Sequence, residues 1–390
     1  MQRRSFLKHT GSTAVLTYAG LPALAQSRVQ DEKNRLLVVL LRGAMDGLAT
    51  VPPVGDPLLE RIRKSILIQR PLTLTDSFGL HPRLHNLHKL WGKEQLKIIH
   101  SMGFSYTGRS HFEGQDVMQS GVMKPYASRT GWLGRGLKAA NLQGGVAISI
   151  PMPLLLKGDD QAATEFPNWM QPTEKDALKS VMAMWSTDST LSGYSDAFQV
   201  APSAQALSQP DMMSQNADEI RSPTALARLA AVRLKESLGP RVAVIDVANG
   251  FDTHGVQGAD TGVLANRLGD LDDIVGAFEQ EMGDQWPNTL VLTITEFGRT
   301  AYENGTSGTD HGLGTCCFLA GGLLQKSAVI ADWRGLEKKN LFQERDLPVT
   351  VDACAVYAQV VERLFGLSPA VIGAQVIEHR PSALLKNLWV

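Results

Sequence analysis

The sequence predicts an α/β protein with a mostly parallel central sheet and helices on both faces. Five short runs are largely apolar on both sides, which is typical of strands buried between two layers of helices. Helical patterns lie between these runs, and strands that alternate with helices indicate an α/β sandwich. The five predicted strands cover residues 36–41, 96–99, 146–150, 242–247 and 290–294.

The clearest helix is predicted for residues 264–282. Its apolar positions are spaced four and three apart, and Gly283 follows as a stop signal. Residues 158–219 differ in composition from the rest of the chain. They are rich in Ser, Gln, Asp and Met, contain four prolines and show weak hydrophobic periodicity. We interpret this stretch as an insertion or cap over the sheet. A single α/β domain would then span residues 26–390.

Composition excludes several classes of protein. The 390 residues include 38 basic and 39 acidic side chains, so the formal net charge is −1 and no basic field exists to bind nucleic acid. Three cysteines, two of them adjacent at positions 316 and 317, exclude a disulfide framework and lack the spacing of a zinc site. We expect Cys316 and Cys317 to lie in a buried strand.

The N-terminus resembles a twin-arginine export signal. Arg3 and Arg4 precede an apolar run at residues 14–21, and Ala23-Leu24-Ala25 fits a cleavage site. We therefore predict a signal peptide at residues 1–25, the twin-arginine translocase as a partner during export, and a periplasmic or secreted protein. An amphipathic helix of the fold is the alternative interpretation. The apolar run is shorter than the ~20 residues that span a bilayer, so no stable membrane anchor is expected.

Carboxylates and imidazoles follow the predicted strands at the edge where open α/β sheets bind ligands. Asp and Glu neutralise the charge of a divalent ion, and His favours zinc or manganese over calcium. Each motif alone also fits a turn or a solvated loop, and Asp46-Gly47 in particular is a common turn pair. The candidate metal ligands are Asp46, Asp252, His254, Glu296, Asp310 and His311.

Ser110 is the candidate nucleophile. Ser110 and Glu113 fit a capping box at the start of a helix that runs to Gly121, so a simple N-cap is the competing interpretation. A serine at that position faces the positive end of the helix dipole, which favours an anionic substrate. Arg109 and Arg299 are candidates for binding anionic oxygens, although Arg299 fits an ordinary ion pair with Glu296 equally well.

Six motifs in this order resemble the domain-of-unknown-function family 1501, whose members are exported bacterial proteins. The resemblance covers nearly the whole chain after the signal. The motifs are Arg42-Gly-Ala-Met-Asp46-Gly47, His81-Pro82, Arg109-Ser-His-Phe112, Asp252-Thr-His254, Glu296-Phe-Gly-Arg299-Thr300 and Thr309-Asp-His-Gly312.

That family is similar at a distance to the alkaline phosphatase and sulfatase superfamily. The resemblance implies a two-metal site in which Asp46 binds one ion, Asp252 and His254 bind the other, and His311 completes the second set. It implies Ser110 as the nucleophile, with Thr107 and His111 as alternatives. One departure is Phe297, which cannot coordinate a metal and stands where the superfamily usually has a histidine ligand.

The sequence therefore predicts an exported metal-dependent hydrolase or transferase that acts on an anionic small-molecule or glycan ester. A phosphate ester is favoured over a sulfate ester, because the Cys-x-Pro-x-Arg context of sulfatases is absent from the sequence. Zinc, manganese or magnesium is the expected cofactor. The alternative is a non-catalytic periplasmic binding or assembly protein on a degenerate alkaline-phosphatase-like fold.

Overall fold

The computed structural model describes residues 34–166, 222–247 and 250–390. The predicted signal peptide at residues 1–25 and most of the predicted cap, from residue 167 onward, lie outside the described residues. Within these three ranges, no helix is both long enough and apolar enough to cross a bilayer.

The strands are β1 (Arg35–Leu41), β2 (Leu72–Thr73), β3 (Gly79–Leu80), β4 (Leu96–Gly103), β5 (Gly145–Ile148), β6 (Ala163–Glu165), β7 (Val242–Val247), β8 (Thr289–Ile294), β9 (Thr315–Ala320), β10 (Ala328–Ile330) and β11 (Val351–Asp352). β2 and β3 form a separate pair, and the other nine strands of the described chain form one sheet in the order β10-β4-β9-β8-β1-β7-β5-β6, with β11 also paired to β4. Every pairing in it is parallel except those of β9, which is antiparallel to β4 and β8. The predicted mostly parallel sheet is confirmed.

Helices cover both faces of the sheet, as predicted. One apolar core contains residues of α4 (His111–Ser120), α5 (Trp132–Ala140) and α8 (Ala353–Phe365). The other contains residues of α3 (His85–Gly92), α6 (Pro223–Lys235) and α7 (Val263–Met282). Alternate residues of β1 from Leu36 to Leu41 point into opposite cores, which explains why this part of the strand is apolar throughout. The helices are α1 (Gly47–Thr50), α2 (Leu59–Ile62), α3 (His85–Gly92), α4 (His111–Ser120), α5 (Trp132–Ala140), α6 (Pro223–Lys235), α7 (Val263–Met282), α8 (Ala353–Phe365) and α9 (Pro369–Val371).

The predicted elements are present with small changes at their ends. All five apolar runs are strands, residues 316 and 317 lie buried in β9, and α7 ends at Gly283 as expected. The helix after Ser110 is α4, and its C-cap Gly121 adopts the left-handed conformation with φ 70°. A Cβ is unfavourable in that conformation, so the glycine provides a clean end to the helix.

The topology brings distant segments to one edge of the sheet. The carboxyl ends of β1, β7 and β8 lie at this edge because these strands are mutually parallel. β4 has the same direction as β8, since both are antiparallel to β9. The amino end of β9 therefore lies there as well. The segments that meet are those following β1, β4, β7 and β8, together with the loop preceding β9.

Candidate metal centre

Three histidines and one aspartate meet at this edge. His111 is the first residue of α4, Asp252 and His254 follow β7, and His311 precedes β9. One ligand atom each from His111, Asp252 and His311 can be chosen so that all three lie within 4.8 Å of one another. We call His111, Asp252, His254 and His311 the histidine cluster.

The closest atoms of the histidine cluster form a small triangle. The Nε2 atoms of His254 and His311 are 2.9 Å apart, and they lie 3.0 Å and 3.2 Å from Oδ1 of Asp252. Zinc with Zn–N distances of about 2.0–2.1 Å has ligands about 3.3 Å apart along a tetrahedral edge. The triangle thus has nearly the size of one face of a zinc tetrahedron. His111 approaches the other carboxylate oxygen, with Nε2 3.3 Å from Oδ2.

Each imidazole is held through its other nitrogen. Nδ1 of His111 lies 2.8 Å from Oε1 of Glu296, and Nδ1 of His254 lies 3.2 Å from Oδ1 of Asp310. Nδ1 of His311 lies 2.8 Å from the backbone oxygen of Arg109. Because these partners are acceptors, an imidazole in its neutral form donates to them from Nδ1 and leaves its Nε2 lone pair for the cluster.

The charges around the cluster favour an ionised aspartate. Burial alone would raise the pKa of Asp252, but the hydrogen bond and charge of Arg299 outweigh it and lower the pKa to about 2. Burial lowers the pKa of His311, and the charges of His111 and Arg299 add to this effect. The hydrogen bond to Glu296 raises the pKa of His111.

Glu296 and Asp310, which the sequence predicts as metal ligands, contact imidazoles of the histidine cluster through the Nδ1 atoms. Glu296 is buried, and its Oε1 accepts hydrogen bonds from the Gly43 amide at 2.9 Å and from His111. Asp310 accepts from His254 and from Asn304 at 3.1 Å. Both carboxylates therefore orient imidazoles of the cluster in this structure.

The structure does not bring Asp46 into the histidine cluster. Asp46 is buried and begins α1, where its Oδ1 accepts from the amides of Leu48 and Ala49. Its Oδ2 accepts from Arg63 at 2.6 Å and from Gln257 at 2.7 Å. Burial would raise the pKa of Asp46, but the charge of Arg63 and these hydrogen bonds lower it. The carboxylate is already neutralised by an arginine.

Both predicted anion-binding arginines are engaged with acidic partners. Arg299 is fully buried and donates from Nη1 to Oδ1 of Asp252 at 2.6 Å, so its ion-pair partner is Asp252 and not Glu296. Its other groups donate to the hydroxyl and the carbonyl of Thr309. Arg109 donates from Nε to Oδ2 of the buried Asp346 at 2.8 Å.

Ser110 occupies the N-cap position of α4, but the predicted capping box is wrong. In the described helix its side chain accepts no hydrogen bond from the first turn, and Glu113 accepts instead from the hydroxyl of Tyr106. The hydroxyl of Ser110 is therefore not committed to capping α4. It lies next to His111 in the chain, at the positive end of the helix dipole.

Phe297 forms a wall of the cluster. Its ring centroid lies 5.0 Å from that of His111 and 5.2 Å from that of His311. Gly114 on α4 makes this packing possible, because a Cβ there would come within 2.9 Å of the phenylalanine ring. Phe297 thus packs against two imidazoles of the cluster.

His111 was missed as a ligand candidate from sequence, where it entered only as an alternative nucleophile. The signal was its place at the head of a helix after a strand of the same sheet, in the motif Arg109-Ser-His-Phe112. His81, in contrast, is buried away from solvent with Nε2 3.0 Å from the Ala259 carbonyl, and its Nδ1 accepts from the Arg83 amide.

These features define an α/β protein with a histidine-rich candidate metal centre at the carboxyl edge of a mostly parallel sheet. The chain belongs to the family described as "Protein of unknown function (DUF1501)", whose model matches residues 33–379. No curated protein matches the chain.

Solved structures similar to this chain include phosphatases, sulfatases and related enzymes. A lipoteichoic acid synthase from Listeria monocytogenes is 9% identical, with 91% of this chain and 76% of that chain covered and a TM-score of 0.41. A sulfatase from Pseudoalteromonas sp. is 13% identical over 93% and 75% of the two chains, with a TM-score of 0.41. An alkaline phosphatase from the Antarctic bacterium TAB5 is 13% identical over 74% and 91%, with a TM-score of 0.37.

Proposed function

We propose that the protein is a metal-dependent hydrolase or transferase that acts on a phosphate ester, with zinc bound at the histidine cluster. The observation that carries the proposal is the contact between the Nε2 atoms of His254 and His311 at 2.9 Å. Because both Nδ1 atoms donate elsewhere, both Nε2 atoms are acceptors in the neutral rings. Two acceptors at this distance repel each other unless a proton or a cation lies between them.

The donor set fits zinc better than the alternatives of manganese or magnesium. Imidazole nitrogen suits zinc, whereas magnesium prefers oxygen ligands. His254, His311 and Asp252 would hold the ion on one face, with His111 beside it, and two histidines with one carboxylate are a common catalytic set. Glu296, Asp310 and the Arg109 carbonyl would keep the rings in place. A metal at this position supplies Lewis-acid polarisation and charge neutralisation.

The start of α4 supports an anionic substrate. The helix begins at His111, so its first amides lie beside the histidine cluster, and a helix N-terminus favours phosphate. In the proposal the Ser110 oxygen attacks phosphorus, the bond to the leaving alcohol oxygen breaks, and the proton of the Ser110 hydroxyl passes through solvent to that alcohol oxygen. Water then releases phosphate in a hydrolase, or an acceptor alcohol takes the phosphoryl group in a transferase.

Export belongs to the same proposal. The twin-arginine motif predicts transport by the translocase to the periplasm or beyond, and a phosphate ester or glycan ester outside the cytoplasm would be the substrate. The second candidate function is a non-catalytic binding or assembly protein. It is favoured by the Asp46–Arg63 pair, because a carboxylate expected at one of two ions is neutralised by an arginine instead.

An activity assay on zinc-loaded protein tests the proposal. We expect hydrolysis of p-nitrophenyl phosphate above that of p-nitrophenyl sulfate, loss of activity after zinc removal, and recovery when zinc returns. Ser110→Ala should abolish turnover while zinc content stays at the wild-type level. Turnover retained in Ser110→Ala would remove Ser110 from the mechanism. A zinc-loaded protein without turnover on any phosphate or sulfate ester would favour the binding protein.

A further inference from the structure

An anionic substrate requires a cation that is not already neutralised at the site. Arg299 is fully buried and bound to Asp252, and Arg109 is bound to Asp346. Neither guanidinium can turn towards a substrate without breaking an ion pair to a carboxylate. A third arginine, Arg345, also reaches the histidine cluster.

Arg345 contacts the backbone of a cluster residue. Its Nη2 donates to the carbonyl oxygen of His311 at 2.8 Å, while 39% of its side chain is exposed. Its charge also reaches Asp310: burial would raise the pKa of Asp310, and hydrogen bonds from Asn304 and His254, with the charge of Arg345, lower it. The guanidinium therefore lies at the rim of the cluster and within reach of solvent.

The charges around Arg345 leave it incompletely neutralised. Its Nη1 lies 3.6 Å from Oδ1 of Asp346, which is beyond hydrogen-bond length. Oδ2 of the same carboxylate already accepts two hydrogen bonds from Arg109. Arg109 and Arg345 thus share Asp346, and among the described residues Arg345 has no ion pair closer than 3.6 Å.

A tight hairpin holds Arg345 in this position. Phe342 and Asp346 pair across it, with the amide of each donating to the carbonyl of the other at 2.8 Å and 3.0 Å. Gln343 and Glu344 at the tip have φ angles of 53° and 55°, a region that non-glycine residues adopt at some energetic cost. Asp346 accepts a hydrogen bond from Arg109, the residue before Ser110, and this bond holds the hairpin next to the start of α4.

We propose that Arg345 is the residue that binds the tetrahedral oxyanion of the substrate. Its exposed guanidinium donates to the non-bridging oxygens of a phosphoryl or sulfuryl group while the ester oxygen faces the histidine cluster. The inference rests on the proposed function, since it places the oxyanion beside zinc. In this proposal Arg345 binds the anionic oxygens of the substrate, a role for which the sequence suggested Arg109 and Arg299.

Oxyanion binding to zinc-loaded protein tests this inference without using turnover. Zinc content is measured first, and inorganic phosphate and inorganic sulfate are then titrated separately by calorimetry. We expect Arg345→Gln to keep its zinc and to weaken phosphate binding by about 10–100-fold, the loss typical of a charge-assisted hydrogen bond. Arg345→Lys should recover part of the affinity, because it restores charge but not the planar fork.

Arg334→Gln is the matched control. Arg334 is an exposed arginine paired with Asp332, and its removal should change neither zinc content nor phosphate affinity. Unchanged phosphate affinity in zinc-loaded Arg345→Gln would overturn the inference and leave the zinc site standing. Tighter binding of sulfate than of phosphate would retain Arg345 and reassign the substrate class. Wild-type protein that takes up no zinc would overturn the proposed function and the inference together.

Discussion

Two polar regions at the same edge of the sheet each contain a carboxylate that the sequence predicts as a metal ligand, and they differ in what surrounds that carboxylate. Asp252 lies in the open histidine cluster, 42% exposed and surrounded by three imidazoles. Asp46 lies in a closed region, 1% exposed and bound by Arg63 and Gln257. Each carboxylate is paired with a buried arginine, Asp252 with Arg299 and Asp46 with Arg63, so the arginine does not distinguish them. Asp252 is the candidate ligand because it also faces solvent and three imidazoles.

The two regions are joined by buried hydrogen bonds. Gln257 donates to Asp46 and accepts from the Thr309 hydroxyl at 2.8 Å. That hydroxyl in turn accepts from Arg299 at 3.2 Å, and Arg299 donates to Asp252. Each of these hydrogen bonds pairs a donor with an acceptor. The closed region around Asp46 can therefore fix the position of Asp252 in the histidine cluster.

Breaking the closed region should have the largest effect. Arg63→Met leaves Asp46 buried without its cation, and we expect a loss of about 3–5 kcal/mol in the free energy of unfolding. Urea denaturation measures the change. The double variant Arg63→Met with Asp46→Asn should recover part of the loss, because the uncompensated charge is gone. A single variant as stable as wild type would contradict the closed-region description.

Acid should also weaken the closed region. His100 is buried near Asp46 with its Nε2 3.1 Å from the Val51 carbonyl, and burial lowers its pKa from 6.5 to about 4. An unfolded chain protonates this histidine near pH 6.5 while the folded protein does not. Stability should therefore fall by up to about 3 kcal/mol as the pH drops from 6.5 to 4. Denaturation at several pH values checks this, and His100→Gln should flatten the dependence.

In the open region, the outer carboxylates should matter less than the ligands. Asp310→Ala removes the acceptor that orients His254, and we expect zinc affinity to fall about 10–100-fold without unfolding the protein. Competition with a chromogenic chelator measures the affinity. Asp160→Ala removes an exposed carboxylate paired with Lys138 and is the control. Equal zinc affinity in both variants would rule out the orienting role of Asp310.

The sequence predicted the architecture well because its strong signals are local. Apolar runs and the periodicity of α7 gave the strands and helices, and the strand ends gave Asp252, His254 and His311. It could not predict that Arg63 would reach Asp46, because the partners are brought together by packing, not by any pattern of spacing. His111 was underrated for the same reason: its role depends on Glu296, 185 positions away.

The smallest expected effect concerns the connection between the two regions. Thr309→Val removes the hydroxyl that links Gln257 to Arg299, and we expect a loss of about 1 kcal/mol in stability. Zinc affinity should fall by less than in Asp310→Ala, since Arg299 keeps its bond to the Thr309 carbonyl. Chelator competition and urea denaturation of the same samples separate the two effects. A larger loss of zinc affinity in Thr309→Val than in Asp310→Ala would contradict this expectation and place the Thr309 hydroxyl among the groups that support the metal site.

The central claim is that the histidine cluster holds a metal ion, and elemental mass spectrometry on protein purified without chelators tests it most directly. We predict about one equivalent of zinc per chain, lost in His254→Ala and in His311→Ala and retained in Asp46→Asn. Zinc that disappears in Asp46→Asn but persists in both histidine variants would place the ion in the closed region. Folded protein that contains no metal and takes up none on addition of zinc would contradict the account.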